Sequence, residues 1–348
     1  MKKNIFNSGK KEFNLLDAGM GEFIYIIVML IIIELFKIAI RIGLPYNDFV
    51  SGLVSFCVEL GFVGTVLIVG ALNKSNVIKA TKINSKPKSN HMWFCVLIAL
   101  IAYFGFSALT NTFIEFLDLI GYKSSSSGIN VDSWWKYLLY TITMAAVPAF
   151  CEELLFRGVV YQGLRKWSKV GAIFISAALF MLMHGSPDQT VHQFVIGIIL
   201  AVVFSVTGSI WCPMLIHFLN NFIALTLSFV VTMIQKSAQV QNSESANQVV
   251  VGPWESWAIG LFSALFSAIV AGLLIWVIVK HLQKNKIEQN NNQTSNENVI
   301  SEVESQEANQ SKEEFSDKGK VTAIVFFVLA TIWGCFDWIQ ALVIGLLK

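Results

Sequence analysis

The chain has 348 residues, 55% of them hydrophobic and only 14% charged, with a mean hydropathy of +0.61. Soluble domains carry roughly a quarter charged residues, so this composition excludes an ordinary soluble fold and indicates an integral membrane protein. A formal net charge of +2 gives no overall attraction to nucleic acid. The five cysteines, odd in number and scattered through apolar runs, suit neither a disulfide frame nor a C-x-x-C metal site.

A spanning helix needs about 20 mostly apolar residues. In chain order that criterion predicts helices near Glu22–Arg41, Phe49–Leu72, Met92–Leu117, Trp134–Gln162, Gly171–His184, Val191–Thr207, Ile210–Ile234, Trp254–Val279 and Val321–Leu347. The fold class is therefore all-α, a polytopic transmembrane bundle of about nine spans with any site inside it. Gly171–His184 and Val191–Thr207 are short and read as tilted, shielded or partly re-entrant. The basic segment Met1–Lys11 precedes an apolar run too long for a signal-peptide core, so it is expected to stay attached. Gln235–Gly252 reads as an external loop, and Gln283–Gly319 as a flexible cytoplasmic linker that makes the last span an addition to the main bundle. Three regions result: 1–133 with three spans, a four-span core over 134–228, and 229–348 with two spans and the linker 283–319.

Charge orients the bundle, because cytoplasmic connections collect Lys and Arg. Eighteen of the 25 basic residues fall before the first span and in the second, fourth and eighth connections. Only Lys123, Lys136, Lys236 and Lys348 fall on the other side, which predicts a cytoplasmic N-terminus; the Lys- and Asn-rich, short-looped sequence reads as bacterial, which places it in a bacterial cytoplasmic membrane. Absence of an internal repeat argues against a transporter, many of which are built from duplicated halves. Trp134, Trp135, Trp254 and Trp257 read as interface belts.

An ionisable group at mid-span costs at least ~2.5–3.5 kcal/mol, so each is a functional candidate. Glu152, Glu153 and Arg157 lie deep in the fourth predicted span. Glu153 and Arg157, four apart, share a helical face and can pair, whereas Glu152 is turned about 100° away and left free. His184 ends the fifth span. His217 and Asn221, again four apart on the seventh, can aim at one point while Asn220 turns elsewhere. Helical rise puts Glu152 and His184 at matching depth, with His217 shallower. Two acids, a cation, two imidazoles and an amide on three apolar helices point to a site rather than to packing. Glu34, Lys37 and Arg41 read instead as a local ion pair and interface anchor; Glu59, Glu115, Asp118 and Asp337, single near span centres or ends, are read as structural or left unassigned.

At these residues the chain resembles the CPBP family of intramembrane proteases, which includes type II CAAX prenyl endopeptidases and bacterial bacteriocin-processing and self-immunity proteins of Abi type. Glu152, Glu153 and Arg157 fit its E-E-x-x-x-R motif, Phe180 and His184 fit F-x-x-x-H, and His217 and Asn221 fit H-x-x-x-N, in that order. Phe156-Arg157-Gly158 and the run Thr207–Pro213 are also similar. The likeness covers about Trp134 to Ser228.

It implies an endopeptidase acting on a membrane-associated protein or peptide. In its glutamate-type scheme Glu152 and His184 activate a water, Glu153 and Arg157 orient the centre, and His217 and Asn221 hold the oxyanion. No cofactor is favoured, because Arg157 would set a positive charge beside any cation; the alternative is Zn²⁺ on Glu152, His184 and His217. From another class, the competing reading is a catalytically idle membrane scaffold that regulates a sensor kinase or a peptide exporter.

Overall fold

A computed structural model describes residues 12–45, 47–124, 131–238, 253–294 and 317–348. Ten helices account for it, and no strand occurs among the described residues. They are α1 (Leu15–Arg41), α2 (Asp48–Leu72), the single turn α3 (Val77–Ala80), α4 (Ser89–Leu119), α5 (Trp134–Leu164), α6 (Lys169–Met183), α7 (Thr190–Thr207), α8 (Trp211–Ala238), α9 (Pro253–Thr294) and α10 (Asp317–Leu346). Eight of these are long and apolar enough to cross a membrane, while α6 has 15 residues. The expected second short span, α7, passes the length criterion once its leading turn Pro187–Gln189 is included. The basic residues of 1–11, most of the external loop and 295–316 of the linker lie outside the described residues.

Local chemistry sets several helix ends. Asn14 caps α1 by accepting from the Leu16 and Asp17 amides, and Asp17 accepts in return from the Asn14 amide, a reciprocal box that satisfies otherwise orphaned donors. Ser168 accepts from Gly171 N–H and starts α6. α7 stops at Gly208, whose φ of +67° is the left-handed conformation that glycine adopts without a Cβ penalty.

Polar contacts sort the connections into two ends. At one, Glu12 lies 3.9 Å from Lys82, 3.8 Å from Arg165 and 3.7 Å from Lys166, and Trp211 Nε1 donates to Ile83 O at 2.8 Å. At the other, Lys123 N–H donates to Gly345 O at 2.8 Å, Ser124 bonds Asp188, and Lys236 donates to Asp132 O at 2.9 Å. The basic connections after α2 and α5 thus share an end with the start of α1. Helix α6 starts at that end, and the turn that follows it reaches the other. Its ~22 Å of helix is therefore completed by loop, and among the described residues nine segments run between the two ends.

Two sequence expectations are corrected. Helix α9 continues to Thr294, so 283–294 is helical where a flexible linker was expected. Nor is α10 a peripheral addition. It packs along α1 and against α6, and Trp338 Nε1 donates to Thr190 Oγ1 at 2.8 Å. The Glu34–Lys37 pair forms as read, at 2.7 Å on an exposed face. Trp134, Trp135 and Trp254 are exposed, whereas Trp257 turns inward and donates to Thr112 O at 2.9 Å.

Small residues let the central helices approach. A Cβ at Gly197 in α7 would stand 3.1 Å from Ala177 Cα and Cβ in α6. Gly197→Leu should therefore force α6 and α7 apart, an overpacking cost of about 1–3 kcal/mol. A lowered melting temperature of the purified protein in detergent is the expected result.

Candidate active site

Helix α5 is not a regular α-helix. Its π turns, Thr141–Ala146 and Phe156–Tyr161, bracket the α-helical stretch Val147–Leu155 that carries Glu152 and Glu153. π turns widen a helix locally and cluster at functional sites. One cause is visible in the sequence. Pro148 has no N–H to give the carbonyl four residues back, Met144 O, and Asn221 Nδ2 of α8 donates to that carbonyl at 3.3 Å.

The charged centre lies in α5. Glu153 and Arg157 are both fully buried, and Arg157 Nη1 donates to Glu153 Oε1 at 2.9 Å. A second guanidinium nitrogen, Nη2, donates to Gly197 O of α7 at 3.0 Å. The cation also lies over the Phe180 ring, 4.8 Å from its centroid. His217 Nδ1 stands 3.0 Å from the same Glu153 oxygen. Because that oxygen already accepts from Arg157 Nη1, Nδ1 is the donor to it and Nε2 is the nitrogen left over.

Glu152 is free as the helical spacing implied. It is 7% exposed, its Oε2 is buried without a protein partner, and that oxygen lies 3.9 Å from His217 Nε2. His184 Nδ1 lies 2.8 Å from Phe180 O. A carbonyl only accepts, so Nδ1 carries the proton and Nε2 offers a lone pair. Phe180 sits between the two imidazoles, its centroid 4.9 Å from that of His184 and 5.7 Å from that of His217.

The structure thus gathers Glu152, Glu153, Arg157 and His217 directly and brings in His184 through Phe180. The start of α8 is packed against the connection after α2. Ile210 and Cys212 are fully buried beneath residues 83–85, whose carbonyls receive Ser209 and Trp211. Asn221 stands apart from the other five, bonded to Met144 O and to the neighbouring Asn220 amide.

Sequence reasoning missed two polar groups here. Asn220, expected to turn elsewhere, is 3% exposed and its Nδ2 lies 2.9 Å from Nε2 of His192 in α7. His184, His192 and His217 lie within electrostatic range of one another. A histidine inside the span Val191–Thr207 was the available signal for His192. Glu22 and Glu59, like Glu152, lie within electrostatic range of Tyr25, and Glu22 Oε1 and Glu59 Oε2 are buried without hydrogen-bond partners.

The conditional zinc ligands do not form a ligand set. Among the described residues no three His, Cys, Asp or Glu side chains are grouped to hold a metal ion, and the fully buried Arg157 cation shares the carboxylate cluster.

Residues 134–223 match the family model described as Rce1-like, type II CAAX prenyl endopeptidase. No curated protein and no solved structure matches the chain.

Removing the buried cation alone should be costly, because Glu153 would keep its charge without its principal partner. Arg157→Met is expected to destabilise the protein by about 3–5 kcal/mol, whereas the paired change Glu153→Met with Arg157→Met should recover much of that. Melting curves of the three proteins check this.

Proposed function

We propose, from the premise that residues 134–223 carry the Rce1-like core of the CPBP family, that this chain is an intramembrane endopeptidase using a Glu- and His-activated water. The match supports a CAAX-type intramembrane protease at the level of the family. The observation that carries the finer reading is the unpaired Glu152 carboxyl beside a histidine that a buried ion pair holds in place.

Hydrolysis needs a base for water and donors for the carbonyl oxygen as it becomes negative. Glu152 accepts the water proton, and the hydroxide formed attacks the peptide carbonyl carbon. His184 assists through its free Nε2, because Nδ1–H is committed to Phe180 O. Collapse of the tetrahedral intermediate breaks the C–N bond, and the proton held at Glu152 passes to the leaving amine. Products are a carboxylate and an amine.

Glu153 does for His217 what a buried carboxylate does in a hydrolase triad: it fixes the ring through Nδ1–H. His217 thereby keeps Nε2 turned to the oxyanion. Asn221 has one amide N–H beyond that given to Met144 O, and this is its oxyanion donor. Arg157 donates to Glu153, and its bond to Gly197 O ties the centre to α7.

The substrate on this reading is a protein or peptide that presents extended chain at the membrane; CAAX-type processing, bacteriocin maturation and self-immunity all supply such chains. On this reading the protein sits in a bacterial cytoplasmic membrane; the Lys and Arg distribution supports a cytoplasmic N-terminus. Neither a cofactor nor a metal takes part in the proposed steps.

Glu152→Gln keeps the side-chain shape and removes the base. Cleavage of a membrane-associated peptide should fall by about 10²–10⁴-fold while insertion and melting stay unchanged. Full complementation of a deletion phenotype by Glu152→Ala would instead point to the scaffold reading. Activity is expected to survive prolonged chelation, and stoichiometric zinc in the purified protein would overturn the metal-free scheme.

A further inference from the structure

Asn220 has an unusual hydrogen-bond balance. Its Nδ2 meets two acceptors, His192 Nε2 at 2.9 Å and Asn221 Oδ1 at 3.3 Å. Its Oδ1 is buried without a partner in a residue only 3% exposed. Rotating the amide offers no relief, since that would set oxygen against the Asn221 oxygen. The orientation is therefore fixed, and a buried acceptor is left waiting for a donor.

Its place in the fold says which donor. Asn220 follows His217 by three residues, one turn along the same side of α8. His192, which holds it, lies within electrostatic range of His217 and of His184. The unpaired oxygen thus belongs to the same interior as the proposed catalytic groups. The donor that a peptidase site receives in every substrate, whatever its side chains, is a main-chain N–H.

We propose that Asn220 Oδ1 accepts a backbone N–H of the bound peptide near the scissile bond, with His192 as the residue that positions it; this rests on the peptidase reading above. Asn220 is then a substrate-binding residue alongside the motif residues Glu152, His184, His217 and Asn221. His192 acts through Asn220 by taking one amide N–H, which keeps the oxygen turned to the substrate.

The test uses purified full-length protein bearing Glu152→Gln, so that peptide binds without being cut. The probe is a fluorescent S-farnesylated CAAX peptide, compared with analogues N-methylated at one backbone nitrogen at a time around the expected cleavage point. With Asn220 intact, methylation at one position should weaken binding about 10-fold. In Asn220→Leu the parent peptide should bind about 10-fold more weakly and that methyl group should cost nothing further, the non-additivity expected of a direct contact. Asn220→Asp keeps an oxygen at this place and should retain sensitivity to the same methyl group, which guards against a folding defect in the leucine variant. His192→Ala should weaken parent binding without changing which nitrogen matters.

Equal loss from methylation with and without Asn220, or no binding of any peptide, overturns the assignment; equal loss would mean that the oxygen holds only a water. The peptidase reading is tested separately by cleavage of the parent peptide with Glu152 restored. If that cleavage occurs and is lost in Glu152→Gln while Asn220→Leu behaves like the unaltered protein, only the Asn220 assignment falls.

Discussion

The buried Glu153–Arg157 pair is the constraint on which the centre depends. A guanidinium cannot be neutralised by losing its proton, so once it is enclosed by α5, α7 and α8 it must find acceptors. It takes one on its own helix, Glu153, and one on α7, Gly197 O. Glu153 in turn accepts from His217 on α8. A single charge pair therefore fixes three helices relative to one another. Apolar side chains of similar volume would join the same helices at lower desolvation cost. The arrangement makes sense where a histidine must be held in one orientation beside a free carboxyl, and that is what it does for His217 and Glu152.

Distortion of α5 serves the same end. Pro148 removes an internal hydrogen bond, and π turns on either side of Val147–Leu155 change the facing of residues before and after it. The freed Met144 carbonyl is met by Asn221. Asn221 thus has a packing duty as well as its proposed catalytic one, and its amide has hydrogens for both. The histidines are organised by a similar economy: each spends one ring nitrogen on a fixed protein oxygen, Phe180 O for His184 and Glu153 for His217, and keeps the other.

Much of this was legible in the sequence because helical spacing is regular. The i, i+4 relation of Glu153 to Arg157 predicted the ion pair, and the rotation of Glu152 away from them predicted its free carboxyl. Apolar runs gave the helices, since length and hydrophobicity are local properties. The approach of His217 to Glu152 and Glu153 was harder to read, because contact between α8 and α5 is a tertiary fact. Asn220 was dismissed on helical phase alone. Its partner comes from α7, and no periodicity along α8 reveals a side chain on another helix.

The last helix was misjudged for a related reason: a polar linker says how a segment is attached, not where it packs. Helix α6 ends at Met183, so His184 to Gln189 forms a non-helical stretch before α7. Irregular backbone within a bilayer is tolerated where protein covers it. α10 supplies that cover. A Cβ on Gly334 would stand 2.9 Å from Leu182 Cβ, Asp337 leaves no room for one on Gly185, and Trp338 bonds Thr190 beyond the turn. Gly185, at φ +55°, turns the chain directly after His184. The residues that set His184 in place thus include a helix that lies outside the 134–223 family match, and the interior proposed as the site is closed by a wall that the motif sequence does not encode.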